Sequence, residues 1–321
     1  MSARRLVRSG KNATASEKTA ERIQNAARSL TYRIVVGIIG IAVGIAALVL
    51  AVVWFHKVYA DPQHVFWDMV NNNLTTQGVT KEVSQNTGTV STDELTQMVF
   101  VPQPMLRSVK QLSTSSGGTT THLILEAVST PKDNYQHYSL IERQAAPGQP
   151  KKDYAKVYAL WLHNGGRGQS DGQATFNNAV FGALLFGNIP PEQRANIERS
   201  LHTAYHLDFA ATKKQSQSHR RIYSYDAVIS LKDYASAAHL YAKALGLPNA
   251  DQINPANYDP DSKLAFTVTV DVLSRQVKQI AYKTSGITEA YSSYGVLTNI
   301  TTPKHTVSYQ ELQNAINAVS K

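Results

Sequence analysis

Residues 264–282 read LAFTVTVDVLSRQVKQIAY, and the first half of this stretch alternates apolar and polar side chains. The apolar positions are Leu264, Phe266, Val268, Val270 and Val272. A period of two is typical of a β-strand with one buried face. Residues 273–275 predict a turn, and a second strand follows it through Tyr282. The stretch therefore predicts two neighbouring strands that contribute one face to a hydrophobic core.

The same alternation recurs upstream of this stretch. The runs with strand character are 94–101, 105–112, 121–128, 135–143 and 220–230. Turn-forming sequences separate the first four of them: PQP, SSGG and PKDN. Connections this short join antiparallel strands, because parallel neighbours need a crossover of about a dozen residues or more. The sequence thus predicts an antiparallel meander between Val79 and about Gln144.

Helical patterns flank and interrupt the strands. Pro62 suits the first turn of a helix over residues 62–73, where four apolar side chains share one side. Residues 174–186 and 190–207 predict two more helices, whereas residues 154–163 fit either a strand or a helix. Strands and helices in this order predict an α+β domain, with helices packed on one face of a curved antiparallel sheet.

Two further helices are indicated by their first residues. Ser230 with Asp233, and Ser308 with Glu311, have the spacing of a capping box. Gly246 marks the end of the first of these helices. The second helix carries apolar residues at the spacing of one helical face: Leu312, Ala315, Ile316 and Val319. We expect this last helix to close one end of the core.

These elements resemble a known fold. The helix over residues 62–73, the meander after it, and the blocks at 223–248 (YSYDAVISLKDYASAAHLYAKALGLP) and 264–282 are similar to the LolA-like lipoprotein-carrier fold and related envelope lipoprotein domains. The resemblance covers the architecture of residues 62–321. It implies a half-open barrel with a cavity between sheet and helices that encloses acyl chains, and it implies no catalytic residues. These relatives are anchored through a lipidated cysteine, but this chain contains no cysteine.

An uncharged apolar run supplies another kind of anchor. Residues 34–55 read IVVGIIGIAVGIAALVLAVVWF, which as a helix extends about 33 Å and matches a hydrocarbon core of about 30 Å. The run predicts a transmembrane helix between a basic tail at 1–33 and a large domain at 56–321. The alternative is a signal peptide cleaved after Ala60, but the run is longer than the apolar part of such a signal.

The distribution of charge predicts the orientation of this helix. Residues 1–33 carry eight Lys and Arg side chains against Glu17 and Glu21. Basic residues favour the cytoplasmic side of a span, so the N-terminus is predicted inside and residues 56–321 outside, in the cell envelope. Because the formal charge of +9 lies mostly in this tail, it indicates anionic lipid and not nucleic acid as its surroundings.

One face of the apolar run carries small residues at spacings of three and four. They are Gly37, Gly40, Gly44, Ala47 and Ala51. Small side chains let two helices approach closely in lipid. The stripe therefore predicts a homodimer formed through the membrane.

Several patterns suggest chemistry, and each has a simpler interpretation. Residues 168–172 (GQSDG) match the GxSxG elbow of serine hydrolases, with Ser170 as nucleophile and with Asp226 or Asp271 and His305 as partners. The parallel sheet in which this elbow occurs in serine hydrolases is not predicted. We favour the simpler interpretation, a flexible Gly/Ser loop, and keep a membrane-tethered serine hydrolase as an alternative.

Other spacings are weaker. Ser129 and Lys132 have SxxK spacing, His202 and His206 are four residues apart, and residues 257–261 could offer oxygens to Ca²⁺. Each is better explained as a turn or as a chance pair, and we predict no catalytic, cofactor-binding or metal-binding residue. Paired tyrosines suit either pocket walls or sheet packing, and packing is favoured.

These observations predict a single-span envelope protein whose outer domain binds a hydrophobic ligand, such as a lipid, or a partner protein. The alternatives are the tethered hydrolase and a scaffold with a solid core. The absence of any internal cavity would distinguish the scaffold.

Overall fold

A computed structural model describes residues 41–55, 59–116, 119–143, 152–164, 169–217 and 220–320, without the side chains of 169–173 and 320. The chain divides into two compact units, Met1–Asp61 and Pro62–Lys321. In the first unit, residues 41–54 form an α-helix with exposed side chains. The ring of Tyr59 lies 5.7 Å from that of Trp54 and 5.5 Å from that of Phe55.

Within the described residues, no helix is long and apolar enough to cross a membrane. Residues 34–40 of the apolar run, with Gly37 and Gly40, lie outside the described residues. Gly44, Ala47 and Ala51 lie in the helix over residues 41–54. The transmembrane helix and the homodimer stay predictions.

The second unit contains a sheet of twelve antiparallel strands among the described residues. Five long strands form the predicted meander: β1 (Gly78–Asn86), β2 (Val90–Val99), β3 (Met105–Ser116), β4 (Thr119–Ser129) and β5 (Asn134–Arg143). The other strands are β6 (Leu162–His163), β7 (Tyr205–Leu207), β8 (Lys213–Gln217), β9 (Arg220–Ser230), β10 (Lys263–Asp271), β11 (Gln276–Tyr282) and β12 (Thr288–Ser292).

Strand β12 joins the two halves of the sheet. The order of pairing is β6-β5-β4-β3-β2-β1-β12-β11-β10-β9-β7. Strand β8 also pairs with β9, along the same edge as β7. The sequence predicted β1 to β5 and β9 to β11, but it did not predict β7, β8 or β12. The α+β class with a large antiparallel sheet is confirmed.

Six helices of the described residues accompany the sheet in the second unit. They are α1 (Pro62–Leu74), α2 (Ala155–Tyr158), α3 (Gln169–Val180), α4 (Pro191–Ala204), α5 (Leu231–Ala244) and α6 (Tyr309–Ser320). The apolar side of α1 is buried, and the ring of Phe66 lies 5.4 Å from that of Tyr225 on β9. Helices α4 and α5 pack against each other. The main core lies between these helices and β9 to β11.

Two predicted helix ends were wrong. Helix α3 ends at Val180 and not at 186, and residues 181–190 run as an irregular buried segment. Helix α4 ends at Ala204, because Tyr205 is extended (ψ 126°) and starts β7. Residues 154–163 contain both elements that we considered, the short helix α2 and the short strand β6.

The two capping boxes had different outcomes. The backbone N–H of Ser308 donates to Glu311 Oε2 at 2.7 Å, and the N–H of Glu311 donates to Ser308 Oγ at 3.3 Å, so this box is confirmed. Ser230 is the N-cap residue of α5, but its side chain makes no capping hydrogen bond. Helix α6 packs on a separate small cluster formed by Val157, Leu162 and Leu312, not on the main core.

Candidate functional site

Helix α3 separates two cavities in the second unit. The first, the apolar groove, measures about 600 Å³ and lies between α3, α5 and the segment over residues 247–258. The second, the polar cleft, measures about 540 Å³ and lies between α3 and strands β1 to β5 and β10 to β12. Asn178 and Phe181 line both cavities. The cavities are therefore neighbours on either side of one helix.

Alanines on α5 create the space of the apolar groove. Ala235, Ala238 and Ala242 recur at helical spacing, line the groove and are buried. Alanine side chains end at Cβ, so they leave space between α5 and larger lining residues such as Phe181 and Ile253. The groove thus has the size and the apolar lining of a small-molecule site.

Strand register places charged residues on the floor of the polar cleft. Glu289, Val83, Glu94, Lys110 and Leu125 lie opposite one another across β12, β1, β2, β3 and β4. The adjacent row contains Lys81, Thr96 and Ser108. Side chains two apart on a strand share a face, so both rows point towards α3.

Lys81 is the most deeply buried cation of this cleft, with 5% of its surface exposed. Its Nζ donates to the carbonyl oxygen of Ala179 at 2.8 Å, at the C-terminal end of α3. A cation suits a helix C-terminus because of the partial negative charge there. Burial lowers the pKa of Lys81, and the carboxylates of Glu289 and Glu94 oppose that shift.

Glu289 is buried in the same cleft and is held by tyrosine. Its side chain is 7% exposed, and the Tyr291 hydroxyl donates to Oε2 at 2.6 Å. Burial is the largest cause that raises the pKa of both Tyr291 and Tyr282, and the Glu289 carboxylate is the second. These hydroxyls therefore stay protonated and act as donors.

Tyrosines also fix the segment that follows α3. The hydroxyls of Tyr205 and Tyr241 donate to the carbonyl oxygens of Ala183 and Phe186, both at 2.6 Å, and that of Tyr234 donates to Gly182. An irregular buried segment needs such partners for its backbone groups. The prediction that the tyrosines serve in packing was thus incomplete, because these hydroxyls also hold the backbone at the C-terminal end of α3.

The predicted hydrolase residues are dispersed over different elements. Ser170 lies in the first turn of α3 and not in a turn after a long parallel strand. Asp226 accepts from Thr267 at 2.7 Å, and Asp271 pairs with Arg220 at 3.2 Å. His305 is exposed in the segment before α6. The antiparallel sheet does not provide the elbow that this motif requires.

The weaker motifs have structural roles. Ser129 donates to Asn134 at 2.6 Å across the short connection between β4 and β5, so the SxxK spacing lies at the end of a hairpin. His202 lies on α4 and stacks on Trp67, whereas His206 lies on β7. Asp259 accepts from the N–H of Asp261 at 2.9 Å, as in an Asx turn. The described residues contain no cluster of three or more His, Asp or Glu side chains that could hold a metal.

Sequence reasoning missed Lys81 and the alanines of α5, although signals for both exist. Val79, Lys81 and Val83 share one parity in β1, so a charged residue occupies an inward position of the alternation. In α5, three alanines occupy the apolar face where larger residues are expected. Each pattern indicates a place where the sheet and the helices do not fill the space between them with apolar side chains.

No protein-family model matches the chain, and no curated protein sequence matches it. Among solved structures, the crystal structure of LprF from Mycobacterium bovis is similar, with 11% identity, a TM-score of 0.39, and coverage of 75% of this chain and 96% of that one. From this likeness we infer no fold family, ligand or activity.

Proposed function

We propose that this chain is a single-pass envelope protein whose domain over residues 56–321 lies outside the cytoplasm and binds a hydrophobic ligand. The observation that carries the proposal is the apolar groove between α3 and α5. A cavity of this size, lined mainly by apolar side chains with a few polar groups at its rim, is the usual form of a ligand site. Residues 34–55 support the anchor.

The groove supports a ligand more strongly than it supports a partner protein. It lies between two helices and is walled by buried alanines, so access to it suits a slender molecule such as a lipid chain. The scaffold alternative required a solid core, and two cavities of more than 500 Å³ flank α3 instead.

Filling the groove tests the proposal. Ala238→Leu should reduce the amount of hydrophobic molecule that co-purifies with the full chain, measured by mass spectrometry, because the added carbons occupy the groove. Ala244→Leu on the same helix is the matched control, since Ala244 is not a lining residue. Equal yields of bound molecule from wild type and both variants would overturn the groove as the site, provided all three melt alike.

We further infer that the protein is not a hydrolase. The full chain and Ser170→Ala should turn over activated esters equally slowly. Turnover that depends on Ser170 would overturn this inference and restore the alternative.

A further inference from the structure

We propose that the polar cleft receives the anionic head group, a carboxylate or a phosphate, of an amphiphile whose apolar chain lies in the groove. This inference rests on the proposed function and adds the chemical class of the ligand. It is drawn from the hydrogen-bond inventory of the cleft and from the position of the two cavities on either side of α3.

Lys81 has N–H donors that none of its described contacts uses. An ammonium group has three N–H donors, and the described contacts of Lys81 contain one hydrogen bond, to the Ala179 carbonyl. Lys110 also lines the cleft, opposite Glu94 on the neighbouring strand. A buried cation with unused donors is costly unless an acceptor, ideally an anion, meets it.

The two carboxylates of the cleft have neutral donors of their own. Glu289 accepts from Tyr291 at 2.6 Å, and Glu94 accepts from Thr96 at 3.3 Å. Neither forms an ion pair with Lys81 or Lys110 within 4.0 Å among the described contacts. Their negative charge opposes an anion at a distance, and it also counteracts part of the lowering of the Lys81 pKa by burial. The unused N–H groups of Lys81 are thus the donors that the cleft offers to an anionic head group.

The two cavities are arranged for one molecule with two chemically different ends. Both are lined by Asn178 of α3 and by Phe181, the residue after its C-terminus, so the two cavities adjoin at this end of the helix. Leu231 lines the groove, and Leu264 lines the cleft. The N–H of Leu231 donates to Ser262, two residues before Leu264, so these two walls are close.

The test compares two probes that differ in the head group alone. Dodecanoate and dodecanol are titrated into the full chain in nanodiscs, with empty discs as background. Wild type should bind dodecanoate at least about tenfold more tightly, since a hydrogen bond to a charged group is worth about that factor. Lys81→Met should remove this preference. Lys278→Met, on β11 and outside the cleft, should retain it.

The other outcomes separate the two proposals. Equal affinity of wild type for both probes, or an unchanged preference in Lys81→Met, would overturn the head-group site and leave the groove. Failure of both probes to bind wild type would overturn the proposed function itself. If Lys81→Met does not fold, Lys110→Met gives the same readout from the half-buried side. Inorganic phosphate that binds as tightly as dodecanoate would assign the cleft to a free anion.

Discussion

Gly78 opens β1 where the backbone of another segment leaves no room for a side chain. A Cβ atom placed there would lie 2.4 Å from the carbonyl oxygen of Val296 and 3.1 Å from that of Met98. The N–H of Gly295 also donates to the Gly78 carbonyl at 2.8 Å, so the two segments are held together. Gly78 is therefore required for steric reasons and not for its backbone angles.

We expect Gly78→Ala to lower the free energy of unfolding by about 1–3 kcal/mol, because backbone atoms must move to admit the methyl group. Denaturant titration of the full chain measures this change. Gly182→Ala is the control, since the nearest atoms to its built Cβ lie 3.8 Å away, an ordinary contact. Equal stability of the two variants would contradict the close approach.

Asp271 ends β10 and organises the turn that follows. Burial by itself raises the pKa of Asp271, but hydrogen bonds from the Ser274 N–H (2.9 Å), from Arg220 (3.2 Å) and from the Leu273 N–H (3.0 Å) outweigh burial, so its pKa is lowered. The folded pKa thus lies below the unfolded value of about 3.9. The stabilisation is complete above the unfolded pKa and is lost as pH falls through the folded pKa.

Asp271→Asn should therefore unfold more easily at pH 7, by about 1–3 kcal/mol. The difference from wild type should shrink below about pH 4, where wild type also loses the charge. Unfolding curves at several pH values measure both effects. Asp226→Asn, half-exposed on the adjacent strand, should change stability by less than about 1 kcal/mol. A gap that is constant with pH would show that the charge of Asp271 is not what matters.

At the scale of elements, helix α6 shows what local sequence can and cannot predict. Its start was predictable because a capping box involves residues three apart. Its partners were not, because Val157 and Leu162 belong to a short helix and a short strand whose pattern was ambiguous. The capping box of α5 was not confirmed: Ser230 ends strand β9, pairs with Lys263 of β10, and its side chain makes no capping hydrogen bond.

Substitution of Leu312 tests whether α6 is docked on the domain. Its side chain is 6% exposed and packs in the cluster with Val157 and Leu162. Leu312→Ala should cost about 2–3 kcal/mol, the lower part of the usual range, because a cluster at the sheet edge relaxes more readily than the main core. Gln310→Ala, on the exposed side of α6, should stay within about 0.5 kcal/mol. Equal melting temperatures of the two variants would show that α6 is not docked.

At the scale of the whole molecule, the alternation of residues predicted strands but not the order in which they pair. Residues 288–292 (TEAYS) are too short to stand out, yet β12 joins the meander to β9–β11 and carries Glu289 into the cleft. The cavities depend on this order, because α3 lies over strands from both halves. Their residues carried local signals, but their position required the complete sheet.

The orientation of the chain is the prediction that belongs to this scale. Eight basic residues precede the apolar run, against two glutamates, whereas Lys57 is the one Lys or Arg in residues 56–75. This asymmetry predicts that the tail lies in the cytoplasm. Protease added outside intact cells, after removal of the cell wall, should digest residues 56–321 and leave an N-terminal tag protected. Reversing the basic residues of the tail to glutamate should reduce this protection, because the orienting charge is then lost. Digestion of the tag with protection of the large domain would reverse the orientation, and a cavity that binds lipid would then face the cytoplasm.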